Sequence, residues 1–352
     1  MIRTTGKPTI KDVAVEAGVS LGTASRVIND YSEVNAEMKK RVQRAIEKLG
    51  YTPNALAQSM RLRSTRTIGI LIRDFSSPAF NNLATVAQGI LFSNGYVPLL
   101  ACYDDEPQRE LDIIRAFALR RIDGLIVTTS SDTNQELADA RRGLGVPTIL
   151  FDRDPDKVKD TIAIDHRSGI RQAIGYLASL GHKRIALITG QHKVRPSRER
   201  VAAFRKAHAE LGRVLDHELV RTGSFSEEFA ENQTAELLAL PDRPTAIIAG
   251  GVNMLPGVLR AIRSTNLQFP QDISVVCSTN SELAQLVTPT ITELHVDYFD
   301  IGHKSSALIM GRLEGTIVGP PRVLKFVTTL IKRESCAPPP AVVLNRKSGK
   351  RR

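Results

Sequence analysis

The spacing of apolar residues changes character twice along the chain. Between Thr9 and Gly50 it has the period of a helix. Thr9, followed three residues later by Asp12 and then by Val13, Ala14 and Ala17, reads as a capped amphipathic helix that Gly18 stops. Ser20 is placed to cap a second helix in which Ala24, Val27 and Ile28 share one face, leaving Leu21, Gly22, Thr23, Ser25 and Arg26 on the other. Asn35 opens a third, with Met38, Val42, Ala45, Ile46 and Leu49 inward and Gly50 at its end. Three short helices with a glycine turn between the first two form a helix-turn-helix, whose second helix can enter a major groove.

After Asn54 the pattern supports only a short helix over 55–61, too short to persist alone and expected to fold on binding. Beyond Thr67 the period shortens. Apolar runs such as TIGILI, YVPLLACY, DGLIVTT, PTILFD and TIAID alternate with helical stretches such as AFNNLATVAQGI and PQRELDIIRAFALRR, and the cycle continues through RIALITG, HELVRTG, TAIIAGG and DISVVCS. This is the βαβ signature of parallel, doubly wound sheets, so the chain is α/β with an all-α N-terminal module. Two sheets in tandem are expected, with the chain crossing back near 290–297 and again near 320–323. Ligands of such sheets lie at the carboxyl ends of the strands, in the cleft between lobes.

Charge sharpens the picture because it is unevenly placed. Of the formal net charge of +11, residues 1–66 carry 12 basic and 6 acidic side chains and residues 336–352 carry 5 basic and none acidic, so 67–335 is neutral. A neutral body with a basic helical module points to a polyanionic partner. Ser20, Thr23 and Ser25, together with Thr9, can bond phosphates, and Arg26 can reach a guanine edge. No stretch approaches 18 apolar residues and the first residues lack an apolar signal region, so no membrane association and a cytoplasmic location are expected. Three scattered cysteines without a C-x-x-C pair argue against a disulfide framework or a metal site. The phosphate-cradling, zinc-protease and nucleophile-elbow motifs are absent, and no cofactor is expected. A sheet-and-helix enzyme and a transport-type binding protein remain the alternatives to a regulator.

The stretch TIKDVAVEAGVSLGTASRVIND resembles the headpiece of the lactose-repressor (LacI/GalR) family, and YTPNALAQSMRLRSTRTIGIL resembles that family's hinge helix and its junction to the effector domain. The resemblance runs from Thr9 to about Glu334. It implies a headpiece at 1–52, a hinge and linker at 53–66, and a two-lobed periplasmic-binding-protein-like core at 67–335. It also implies a transcriptional regulator, in all expectation a repressor, that binds a pseudo-palindromic operator as a homodimer under control of a small-molecule effector. Leu21, Gly22 and Arg26 fall where family members read bases, although Gly22 has no side chain to read with. Asn54, Ala57 and Met60 fall on the minor-groove hinge, with Met60 where a wedging leucine is usual.

At the strand ends the candidate effector contacts are Phe75, Asp152, Arg153, Arg200, Phe225 and Thr279. The resemblance places an effector-contacting arginine at Arg200. Where the family commonly has carboxylates near its sixth and seventh strands, this chain has Gly251-Val252-Asn253 and Ser278-Thr279-Asn280. Arg153, Lys193, Arg195, Arg198 and Arg200 crowd the same loops, and unpaired arginines there favour an anionic effector, a sugar acid or a phosphorylated metabolite. Residues 336–352, proline-rich and then basic, read as a disordered tail without the tetramerising helix some members append.

Overall fold

The computed structural model describes residues 8–28, 34–52, 64–155 and 159–340. The chain divides into two compact units, Met1–Thr65 and Arg66–Arg352. In the first, helices α1 (Ile10–Ala17), α2 (Leu21–Ile28) and α3 (Ala36–Leu49) enclose a core of Val13, Ala17, Val42 and Ala45, with Val19, Val27, Ile28, Ile46 and Leu49 packed around it. Met38, expected inward, is 40% exposed, because it sits in the first turn of α3 beyond the reach of the other two helices. The turn after α1 rests on Gly18, whose φ of +62° suits only glycine without strain. Arg41 of α3 closes it, donating to the carbonyls of Ala17 at 2.9 Å and Gly18 at 2.8 Å. These are carbonyls a helix end leaves unsatisfied.

The second unit holds two six-stranded sheets. The first comprises β1 (Thr67–Ile72), β2 (Val97–Cys102), β3 (Gly124–Val127), β4 (Thr148–Phe151), β5 (Asp160–Ile164) and, much later in sequence, β11 (Val323–Phe326). Their order is β11-β5-β4-β3-β1-β2 and every pair is parallel. The second comprises β6 (Ile185–Gly190), β7 (Val220–Gly223), β8 (Ala246–Ala249), β9 (Ser274–Cys277), β10 (Thr292–His295) and β12 (Thr329–Ile331), ordered β12-β10-β9-β8-β6-β7, with only β12 antiparallel. Central strands such as β3, β4 and β8 are buried throughout because helices cover both faces. Edge strand β2 carries Pro98, where no ladder donor is needed.

In the first lobe α4 (Pro78–Ser93) and α12 (Tyr298–Leu313) pack on one sheet face, and α5 (Pro107–Leu119) with α6 (Gln135–Gly143) on the other. In the second, α7 (His166–Ser179) and α8 (Arg195–Glu210) oppose α9 (Glu227–Leu238) and α10 (Leu255–Arg263). A short helix, α11 (Glu282–Leu286), follows β9.

Three connections join the lobes: Ile164 to His166, His295 to Tyr298 and Phe326 to Thr329. The crossing expected near 290–297 falls at the end of that stretch, directly after strand β10. The crossing expected near 320–323 comes after Phe326, since 323–326 is the outer strand of the first sheet. The expected tail also starts later. Ser335 bonds the Val275 backbone through both its carbonyl and its hydroxyl, and Ala337 bonds Ser274 and His182 at 3.1 and 2.9 Å, so 336–340 lies against the second lobe. The basic residues 341–352 are outside the described residues.

Candidate functional site

On the first unit, Ser20 caps α2 as its spacing requires, its hydroxyl accepting from Thr23 N at 3.1 Å and lying 2.9 Å from Thr23 Oγ1. Helical spacing puts Leu21, Gly22, Ser25 and Arg26 on one face. Leu21, Gly22 and Arg26 are exposed, and Thr23 and Ser25 half-buried, while Ala24 is fully buried against the other helices. Thr9 lies at the start of α1, where Asp12 accepts from its backbone N and its hydroxyl at 2.7 Å each. Asn54, Ala57 and Met60 fall outside the described residues.

In the second unit, the carboxyl ends of the strands enclose a chamber of about 90 Å³ between the lobes. Arg153, Asp152, Arg200, Phe225 and Thr279 line it, as strand-end reasoning expected. Phe75 does not: it is 47% exposed, and Phe80, one turn into α4, supplies the aromatic wall. Arg73, His166, Asn253 and Tyr298, which the sequence reading did not single out as contacts, complete it. Arg73 and His166 each stand one residue or two past a strand end, the signal that finds the others.

Arg200 is 5% exposed, has no ion pair among the described residues, and leaves its Nε without a hydrogen-bond partner. Burial pulls its pKa below the usual arginine value. A buried guanidinium without a counter-charge is costly, and a ligand anion offsets that cost. Arg200 and Arg73 flank the Phe225 ring, 5.9 and 5.3 Å from its centre. That ring lies so close on the backbone that a Cβ at Gly190 would meet it at 2.2 Å. Arg153 is held by carbonyls, donating to Thr129 O at 2.7 Å and Asp152 O at 2.9 Å. Thr279 Oγ1 lies 2.9 Å from the buried Tyr298 hydroxyl, whose pKa burial pushes up to about 12.

Other arginines expected to be unpaired are not. Arg195 bonds Asp152 at 3.0 Å, and Arg198 bonds Asp132 at 3.0 Å and Asp154 at 2.5 Å. These pairs cross from the second lobe to the first, as does Asp132 N donating to Lys193 O at 2.9 Å. They tie the lobes together, whereas Arg200 has no ion pair among the described residues and only the longer-range attraction of Asp152. Asp152 also bonds His166 Nε2 at 2.8 Å. Burial would raise the Asp152 pKa, but His166, Arg195 and Arg153 hold it well below the usual carboxylate range. Burial lowers His166, against the pull of Asp152.

Outside the chamber opens a vestibule of about 620 Å³, and Arg73, Phe225 and Asn253 belong to both linings. With its amide oriented to meet both donors, Asn253 accepts from Ser76 Oγ at 2.6 Å and Arg73 Nη2 at 3.2 Å, closing the lobes on that side. Among the described residues no helix is long and apolar enough to cross a membrane, and no group of three or more His, Cys, Asp or Glu could hold a metal ion.

Residues 9–54 match the family described as bacterial regulatory proteins, lacI family, and residues 174–336 match the periplasmic binding protein-like domain. The ribose operon repressor of Escherichia coli is 33% identical over 87% of this chain and 93% of its own length. The chain belongs to the LacI family. Another similar member is the HTH-type transcriptional repressor PurR of Vibrio campbellii, 30% identical over 87% of this chain and 92% of its own. Among solved structures, the lac repressor dimer bound to operator and the anti-inducer ONPF superposes with a TM-score of 0.82 at 25% identity, covering 94% of this chain and all of that one. The α/β architecture is thereby the one the sequence pattern implied.

Proposed function

We propose that this LacI-family regulator is a homodimeric repressor that reads a pseudo-palindromic operator through α2 and is switched by an anionic small molecule seated on Arg200. The observation that carries the effector class is the buried Arg200 guanidinium, without an ion pair among the described residues and with its Nε unpartnered, in a chamber it shares with Arg73 and Arg153. Leu21 and Arg26 reach base edges, Ser20, Thr23, Ser25 and Thr9 engage phosphates, and Gly22 lets the backbone approach closely. Asn54, Ala57 and Met60 serve the minor groove. The exposed Phe92, Val97 and Leu100 at the β2 edge of the first lobe supply apolar surface for pairing two copies. One structural neighbour, the transcriptional regulator CelR, forms a complex with the neutral sugar cellobiose. The arginine content of this chamber favours a sugar acid or phosphorylated metabolite over a neutral sugar. The two readings separate in a calorimetric titration of matched neutral and acidic sugars. Tight binding of the neutral sugar, unaffected by its acid or phosphate, overturns the anionic reading.

A further inference from the structure

The charge around the cleft is partitioned. Behind Phe225 the chamber is lined by Arg73, Arg153 and Arg200 against one carboxylate, Asp152, which Arg195 already holds at 3.0 Å. In front of it the vestibule is lined by Asp74, Asp104, Asp105, Glu227 and Glu282, with Arg73 the one basic residue among its described lining. Three of these acids are committed: Asp74 to Arg73, Asp104 to Arg109 and Glu227 to Arg260. Asp105 has Arg73 only at 3.8 Å, and Glu282 forms no ion pair among the described residues. Serines 76, 224, 226 and 281 fill the remaining polar lining. The chamber alone is smaller than the roughly 300–1,000 Å³ of ordinary ligand pockets, whereas the vestibule falls within that range. A ligand anchored on Arg200 must therefore extend past Phe225 into acidic surroundings.

We propose that the effector carries its negative charge at one end only, with a carboxylate or phosphate on Arg200 and an uncharged, hydroxyl-rich remainder among the vestibule serines and carboxylates. This rests on the anionic reading above and narrows it. The uncommitted carboxylates accept hydrogen bonds from hydroxyls and repel a second anion, so the vestibule acts as a filter against ligands charged at both ends. The test titrates the full-length protein with open-chain sugar acids of four to six carbons in matched sets: the aldonate with one carboxylate, the aldarate with two, and the neutral alditol. The expected result is that the best aldonate binds at least tenfold tighter than the aldarate of the same length, and that the double substitution Asp105→Asn with Glu282→Gln narrows this gap to under threefold. Equal or tighter binding of aldarates overturns the proposal while leaving the anionic reading intact. Alditols binding as tightly as aldonates overturns the anionic reading and the proposal with it. The absence of aldonate binding across the whole set overturns the proposal too.

Discussion

The two units of this regulator put their chemistry in opposite places. The headpiece packs Val13, Ala17, Val42 and Ala45 inward and leaves Leu21, Gly22 and Arg26, the proposed recognition groups, exposed on α2. The effector unit wraps two layered cores around a chamber and buries the proposed effector anchor, Arg200. A DNA face must be reachable and is tolerant of solvent, whereas a small anion is held selectively only where water is excluded and a charge costs something to leave bare. The difference leaves the headpiece with a small core and exposed proposed contacts, and the effector unit with large cores and a buried proposed anchor.

The sharpest way to break this contrast is to separate the units. The fragment 66–352 should remain folded and bind effector by calorimetry while losing specific operator affinity by a factor of at least about 10³ in a gel-shift assay. Specific operator binding by the fragment would show that the contrast is false. Next in size, Arg200→Ala should remove charge-assisted hydrogen bonds worth about 1.5–3 kcal/mol each. Effector response should vanish in a reporter assay while operator affinity without ligand is unchanged. Arg26→Ala should cost about 1–3 kcal/mol on the specific operator and relax one position per half-site. An equal loss on random DNA would reassign it to phosphate. Gly18→Ala forces a side chain into positive φ, at roughly 1–2 kcal/mol, and presses on Arg41, so the headpiece should melt earlier with the effector unit unaffected.

The smallest effect concerns pH. All seven histidines lie in the effector unit, and burial lowers the pKa of three of them, His166, His182 and His208. A base whose folded pKa is depressed gives stability that is present above its unfolded value near 6.5 and lost as pH falls through the folded one. Asp152, also depressed, loses its contribution at still lower pH. The melting temperature of the effector unit should therefore fall on acidification below about pH 6.5, with His166→Gln removing part of the slope. Over the same range the headpiece, lacking histidine, should hold steady in scanning calorimetry.

How much was legible in the sequence follows the same division. Headpiece caps, glycine stops and the α2 face depend on neighbours within four residues, and spacing reveals them. Strands β1 to β9 were legible as short apolar runs, each separated from the next by a helix except β4 and β5. Strands β10 to β12 are three or four residues long and join sheets begun more than a hundred residues earlier, so no local signal marks them. The cleft was legible by strand-end position but not by charge: Arg198 finds Asp132 66 residues away, and nothing nearby distinguishes it from Arg200. Phe75 and Phe80 are equally aromatic, and only the turn held by Asp74 decides which faces inward.

The third crossing has a consequence for synthesis. The first lobe is begun at Thr67 but lacks α12 and its outer strand β11 until Phe326 has been made. At about 5–20 residues per second the ribosome needs on the order of ten to thirty seconds to pass from Ile164 to Phe326. Until α12 has been made, the seat of Ile301, Leu308 and Ile309 on the first lobe lacks the side chains that fill it. The headpiece, whose contacts all close within the first 51 residues, can be complete long before. Each newly made copy can thus complete its reader before its sensor.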